Sequence, residues 1–346
     1  MPPSTPPSTP PSTSPYRPLA TPVLPARLPR YRDLPVVPGN PPKTAWGLFG
    51  DNDNVGMFNL QTPEVVIAAA KLVRKGAVFA MNWEQEQPNP PLFGRGKFRH
   101  TVFRDIPVGH HGDDVLDNFF TQASSQWDGL THVGDYEHGF WGGVRNEDLR
   151  DNHDKSRLGI DHWARRGIAG RAVVLDVARW RAAQGRPIDC NESDVITVAD
   201  LEGTRRAQNV ELKPGDVWII HLGWVEWYAQ QSPQKKQHMS VTANLKTPGL
   251  ECSEAMAEWI FDHHPASLCS DNPALECWPP PNFLEPDGFL HHWIIGRFGM
   301  AIGEMFQTTH LAADCARDGI YEGFFVSAPL NIAGGTGSPP NALVLK

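Results

Sequence analysis

The chain predicts a mixed α/β protein, of α/β or α+β class, with one curved, partly barrel-like β-sheet flanked by helices. Three observations lead there. Apolar strand-like runs such as "GRAVVLDVARW", "DVWIIH" and "GMAIGEMF" are interleaved with helical patterns, but without strict βαβ alternation. The only internal repeat lies in the N-terminal tail. No linker-like stretch divides the remainder, so residues 26–346 are expected to form a single domain.

Residues 1–25, built on a PPST repeat, are expected to be disordered or polyproline-like, because proline blocks helix and sheet and the segment has nothing to bury. A helix is expected after Thr62, which caps it. Pro63 suits its first turn, Glu64 suits the positive end of the dipole, and Gly76 stops it. "AVFAMNW" reads as a buried strand, and "GRAVVLDVARW" as another that ends near Asp176. "TVADLEGTRRAQNV" reads as a helix. A proline-glycine turn then introduces a strand over Val217 to Leu222. Ser253 caps a helix through "EAMAEWIFDHH", followed by a short strand ending at Asp271. The last expected elements are the strand "GMAIGEMF", the helix "THLAADCARDG" and two strands around a glycine-rich turn.

The bulk properties exclude several classes. The 346 residues, 40% hydrophobic, supply a sizeable core. A formal net charge of -8 opposes binding to nucleic acid and to anionic membranes, both of which need a basic footprint. The five scattered cysteines form no CxxC, which argues against a disulfide framework and a thiolate zinc site. Neither an apolar run near twenty residues nor a secretory leader is visible, so a cytoplasmic enzyme is the expectation.

The chemistry concentrates in "SSQWDGLTHVGDYEHG", which holds Asp128, His132, Asp135, Glu137 and His138. Asp128 and His132, four apart, share a face in a helix or a strand; in an extended run His138 joins them. Carboxylate and imidazole suit zinc or manganese, and an unligated histidine suits a general base. A hydrogen-bonded surface loop is the competing reading. A second cluster, "HHWIIGRFGMAIGE", places His291 and His292 before a glycine-containing turn and Glu304 after it. The "GGTGS" segment has neither the lysine of a P-loop nor the spacing of a dinucleotide site, and no GxSxG elbow occurs. Among twelve tryptophans, Trp46, Trp127 and Trp141 are candidates to wall an aromatic pocket.

At these motifs the chain resembles the cyclase family, whose characterised members include bacterial kynurenine formamidase and isatin hydrolase. The resemblance runs from "AWGLFGDNDNVGMFNLQTPE" to "APLNIAGGTGSP". Its most telling parts are "SQWDGLTHV", "PGDVWIIHLGW", "TPGL", "SDNPALE" and "HHWIIGRFGMAIGE". The family signature is HxGTHxDxPxH. Its first two ligand histidines fall on Asp128 and His132, its ligand aspartate on Gly134, and its catalytic histidine on His138. The family's further ligands match His292 and Glu304. The resemblance therefore implies Asp128, His132, His292 and Glu304 around one divalent ion, manganese or zinc, with His138 as base. Trp46 and Trp127 are expected to contact substrate, while Asp135 and Glu137 are bystanders. Gly134 offers no side chain, and loss of a bridging carboxylate points to a mononuclear site.

The implied activity is hydrolysis of a small amide, lactone or cyclic imide. The alternatives are a metal-assisted cyclase, dehydratase or isomerase in secondary metabolism, and a metal-poor binding protein. A small-molecule substrate, with aromatic compounds among the candidates, is the expected partner, and the resemblance implies a homodimer or homotetramer.

Overall fold

The computed structural model describes residues 24–104, 110–149 and 157–346. The expected disordered tail thus lies almost wholly outside the described residues. The strands are β1 (Val78–Ala80), β2 (Arg99–Phe103), β3 (Asp113–Asp117), β4 (Gln126–Asp128), β5 (Ile168–Asp176), β6 (Val195–Ile196), β7 (Val217–His221), β8 (Gly249–Leu250), β9 (Ser267–Ser270), β10 (Ala301–Glu304), β11 (Glu322–Ser327), β12 (Gly337–Ser338) and β13 (Ala342–Leu345). The helices are α1 (Pro63–Ala70), α2 (Asn146–Leu149), α3 (Asp161–Arg166), α4 (Val177–Ala183), α5 (Val198–Ala207), α6 (Trp224–Ala229), α7 (Pro233–Met239), α8 (Glu254–His263) and α9 (Thr309–Asp318).

Nine strands form one mixed, strongly curled sheet in the order β1-β13-β11-β5-β7-β9-β10-β4-β12. Its centre, β5-β7-β9-β10, is parallel, and antiparallel strands extend it on both sides. The parallel strands read as continuous apolar runs because both of their faces are covered. Val173, Val174, Leu175, Ile219, Ile220 and Leu268 are all buried. Thr62 and Ser253 cap α1 and α8 through their side chains, as their positions predict.

Two expectations need correction. "AVFAMNW" forms an edge strand, β1, paired only with β13 and largely exposed, because it closes one side of the sheet. The C-terminal segment folds as three strands, β11 to β13; β12 leaves its neighbours and pairs with β4 at the opposite edge. The unanticipated hairpin β2–β3 is exposed along its whole length. Among the described residues, no helix is long and apolar enough to cross a membrane.

Candidate functional site

Strand β4 runs antiparallel to β10, with Gln126 opposite Glu304, Trp127 opposite Gly303 and Asp128 opposite Ile302. Cross-strand partners point to the same face and successive residues to opposite faces. Gln126, Asp128 and Glu304 therefore share one face, while Trp127 is turned to the other. There it is fully buried, edge-on to Phe58, Phe306 and Phe325, and its indole N–H donates to Ser327 Oγ at 2.9 Å. Trp127 is thus a core residue, contrary to its expected contact with substrate. Trp46 is also occupied structurally: its indole N–H donates to the Gly296 carbonyl at 2.8 Å. Trp141 is buried and donates to Asp53.

On the polar face, the Gln126 amide donates to Asp128 Oδ1 at 3.1 Å and to Glu304 Oε2 at 2.6 Å. The Gln122 amide also donates to Asp128 Oδ1. His291, 3% exposed, completes the cluster. Its Nε2 lies 3.3 Å from Glu304 Oε1 and 3.8 Å from Asp128 Oδ2, and its Nδ1 lies 2.5 Å from Glu276 Oε1. Asp128, His291 and Glu304 each present a ligand atom within 4.8 Å of the others. A tight turn, in which the His132 N–H bonds the Gly129 carbonyl, returns His132 to this group. Its Nε2 lies 3.7 Å from Asp128 Oδ1.

His291 therefore takes the position assigned to His292. The physical reason is a π-helical turn, His292–Arg297, that begins at this point. Its wider winding upsets inference of side-chain direction from residue spacing. His292 instead lies near Tyr136, with ring centroids 6.0 Å apart, and its Nδ1 is 3.2 Å from the Pro286 carbonyl.

The electrostatics of the cluster are unbalanced. Asp128, Glu276 and Glu304 are all buried around one imidazole. Asp128 Oδ2 has no hydrogen-bond partner. Burial, reinforced by the charge of Asp128, raises the Glu304 pKa. Burial disfavours a charged His291, but Glu276 and Glu304 outweigh it and hold the imidazole proton well above the ordinary range. Burial lowers the pKa of His132, against the pull of Asp128. Uncompensated buried carboxylates are costly, and a cation among them removes that cost. The donor set, with an orphaned carboxylate oxygen facing a carboxylate-oriented imidazole, fits a divalent metal.

His138 belongs to a second constellation. Its Nδ1 lies 2.7 Å from Asp135 Oδ1, which also accepts from the backbone N–H groups of Glu137 and His138. Asp135 Oδ2 accepts from Arg297 Nε at 2.7 Å, and both ion-pair partners are buried. Burial opposes the charge on Asp135, but these hydrogen bonds hold its pKa below the ordinary value. Asp135, read as a bystander, is instead the group that orients His138.

Gly134 has a steric reason to lack a side chain. The bridge between Asp135 and Gly139 folds the loop back, and a Cβ at Gly134 would stand 2.6 Å from the Gly139 carbonyl oxygen. Gly296 permits the same closeness from the π-helical side, where a Cβ would stand 2.4 Å from the Asp135 nitrogen.

The polar residues overlooked in the sequence are Gln122, Gln126 and Glu276, while His291 is named beside His292 but not chosen as the ligand. Gln126 and Glu276 lie inside "SQWDGLTHV" and "SDNPALE", so their motifs were visible although their roles were not.

The model of the family described as Putative cyclase matches residues 60–277. A solved structure described as a novel cyclase aligns with a TM-score of 0.76 at 29% identity, covering 88% of this chain and 99% of its own. Isatin hydrolase A from Labrenzia aggregata, bound to benzyl benzoate, aligns with a TM-score of 0.54 at 15% identity, covering 80% of this chain and 94% of its own. Isatin hydrolase A from Ralstonia solanacearum gives 0.53 at 16% identity, with 82% and 98% covered. These two hydrolases share the fold. No curated protein matches the chain.

Proposed function

Because the chain belongs to the cyclase family, we propose that it is a metal-dependent hydrolase of a small amide, lactone or cyclic imide. One observation carries the reading: the buried, unpartnered Asp128 Oδ2 faces His291 Nε2 beside Glu304. Asp128, His291 and Glu304 would hold one divalent ion, with His132 as a further donor. Nitrogen and oxygen ligands of this kind suit zinc or manganese. Such an ion supplies Lewis acidity, which polarises a carbonyl and acidifies water.

The chain's own groups supply the rest. Glu276 accepts the Nδ1 hydrogen of His291 and so aims Nε2 at the carboxylates. Asp135 accepts the Nδ1 hydrogen of His138, leaving Nε2 as the atom that takes a proton from water and returns it to the departing nitrogen or oxygen. Asp135 is itself anchored by Arg297, so the imidazole orientation is fixed before substrate arrives.

The test combines metal analysis with turnover in labelled water. The purified protein should bind zinc or manganese stoichiometrically, and Asp128→Ala or Glu304→Ala should release it. Aryl formamides, isatin-like imides and lactones should yield products carrying oxygen from the labelled water. His138→Ala should retain metal and lose turnover. A protein that takes up no metal on reconstitution would overturn the reading. Product free of the label would replace it with the cyclase or dehydratase alternative.

A further inference from the structure

We propose that Arg95 anchors a carboxylate on the substrate, so that the substrate class is a small, flat acid carrying the amide, lactone or imide. This rests on the hydrolase reading and narrows it. The starting observation is a cation without a counter-charge. Arg95 Nη1 is buried and has no hydrogen-bond partner, and the guanidinium makes no ion pair with any described residue. Its charged group packs over the Phe93 ring, 5.4 Å from the centroid. Withdrawing part of a guanidinium from water without a partner is unfavourable, so the site is poised to accept an anion.

The surroundings say where that anion sits. Arg95 lines an open surface cavity of about 330 Å³ together with Asn118, Phe119, Phe120, Thr121 and Gln122. That volume lies in the range of small-ligand pockets, and the two phenylalanines supply flat apolar wall. Gln122 links the cavity to the carboxylate cluster, because its amide donates to Asp128. A ligand held by Arg95 therefore lies next to the proposed chemistry.

A monoanion fits better than a phosphate. Among the described residues, Arg95 is the only cationic residue lining the cavity. A dianion would meet only this one compensating charge among the lining residues. A guanidinium also presents two parallel N–H groups that match the two oxygens of a carboxylate.

The experiment titrates metal-reconstituted protein with benzoate and with nitrobenzene, its neutral isostere, by calorimetry. Wild type should bind benzoate about tenfold to a hundredfold more tightly, the range of one charge-assisted hydrogen-bonded contact. Arg95→Met should erase that preference, and Arg95→Lys should keep part of it. Equal affinity for the two probes in wild type, which needs no variant, overturns the inference. So does binding of neither probe, or a preference that survives in Arg95→Met. Neither probe carries an amide, lactone or imide bond, so the result is separate from the hydrolase reading. Hydrolysis of neutral amides with kcat/KM unchanged in Arg95→Met sinks this inference alone. An Arg95-dependent carboxylate preference in a protein that hydrolyses none of the panel sinks the hydrolase reading alone.

Discussion

Glu276 Oε1 stands 2.5 Å from Nδ1 of His291, and this contact determines which ring nitrogen faces Asp128 and Glu304. Glu276 is fully buried and also accepts the Leu290 N–H, so it is held from the backbone side. A carboxylate behind an imidazole fixes the tautomer and raises the basicity of the other nitrogen. Glu276→Gln preserves the shape but removes the charge. It should weaken metal retention by about 10–100-fold, read as the chelator concentration that strips half of the ion. Unchanged retention would remove Glu276 from this role.

The pair Asp135 and Arg297 joins the loop that carries His138 to the π-helical turn. Arg297 has essentially no exposure, and loss of the Asp135 charge leaves it paired only with the exposed Asp287, 2.9 Å from its Nη2. Asp135→Asn should therefore lower stability by about 1–3 kcal/mol in urea titrations. The pH dependence follows in sign. Asp135 has a folded pKa below its ordinary 3.8, so the native state binds fewer protons than the unfolded state in that window. Its stabilisation is complete above about pH 4 and is lost as pH falls toward the lower folded value. The acid limb should be shallower in Asp135→Asn, and an identical limb would contradict this account.

Gly134 occupies the place of a ligand aspartate in the family signature, which invites its restoration. The backbone forbids this, because any Cβ there would stand 2.6 Å from the Gly139 carbonyl oxygen. Gly134→Asp should cost about 1–3 kcal/mol, the usual penalty of overpacking, and should add no metal equivalent. Gly134→Ala isolates the steric part and should lose most of the same stability. Wild-type stability together with a gained ion would show that the loop opens more readily than its contacts imply.

Much of the fold was legible in the sequence because it depends on local rules. Thr62 and Ser253 cap helices, and the apolar runs of β5, β7 and β9 have the buried-strand signature. Strand parity groups Asp128 with His132 and His138. Tryptophan content does not say which face meets the core, so Trp127 reads as a substrate contact while it packs against Phe306 and Phe325. The exchange of His291 for His292 has a comparable origin, since the π-helical turn departs from the common helical spacing. Asp135, one residue out of register with the family's ligand position, reads as a bystander; its partner Arg297 is 162 residues away, a contact no local pattern carries. Arg95 has no motif at all. Its significance comes from a missing partner, which only the folded arrangement exposes.

Asp128 provides the sharpest separation between a site kept for stability and one kept for binding. Its carboxylate lies fully buried beside Glu304, with Oδ2 unpartnered. The two Gln amides that donate to Asp128 reach only Oδ1. Asp128→Asn retains one acceptor oxygen for those amides and removes the charge that repels Glu304. In chelator-treated protein the variant should therefore be more stable than wild type by about 1–2 kcal/mol, as when a poorly compensated buried charge is neutralised. With excess zinc or manganese the order should reverse, because wild type alone gains the full binding energy of the ion. Thermal melts of both proteins, with and without metal, read the crossing directly. If Asp128→Asn is less stable under both conditions, the carboxylate is satisfied by its amide donors and the cluster does not need a cation.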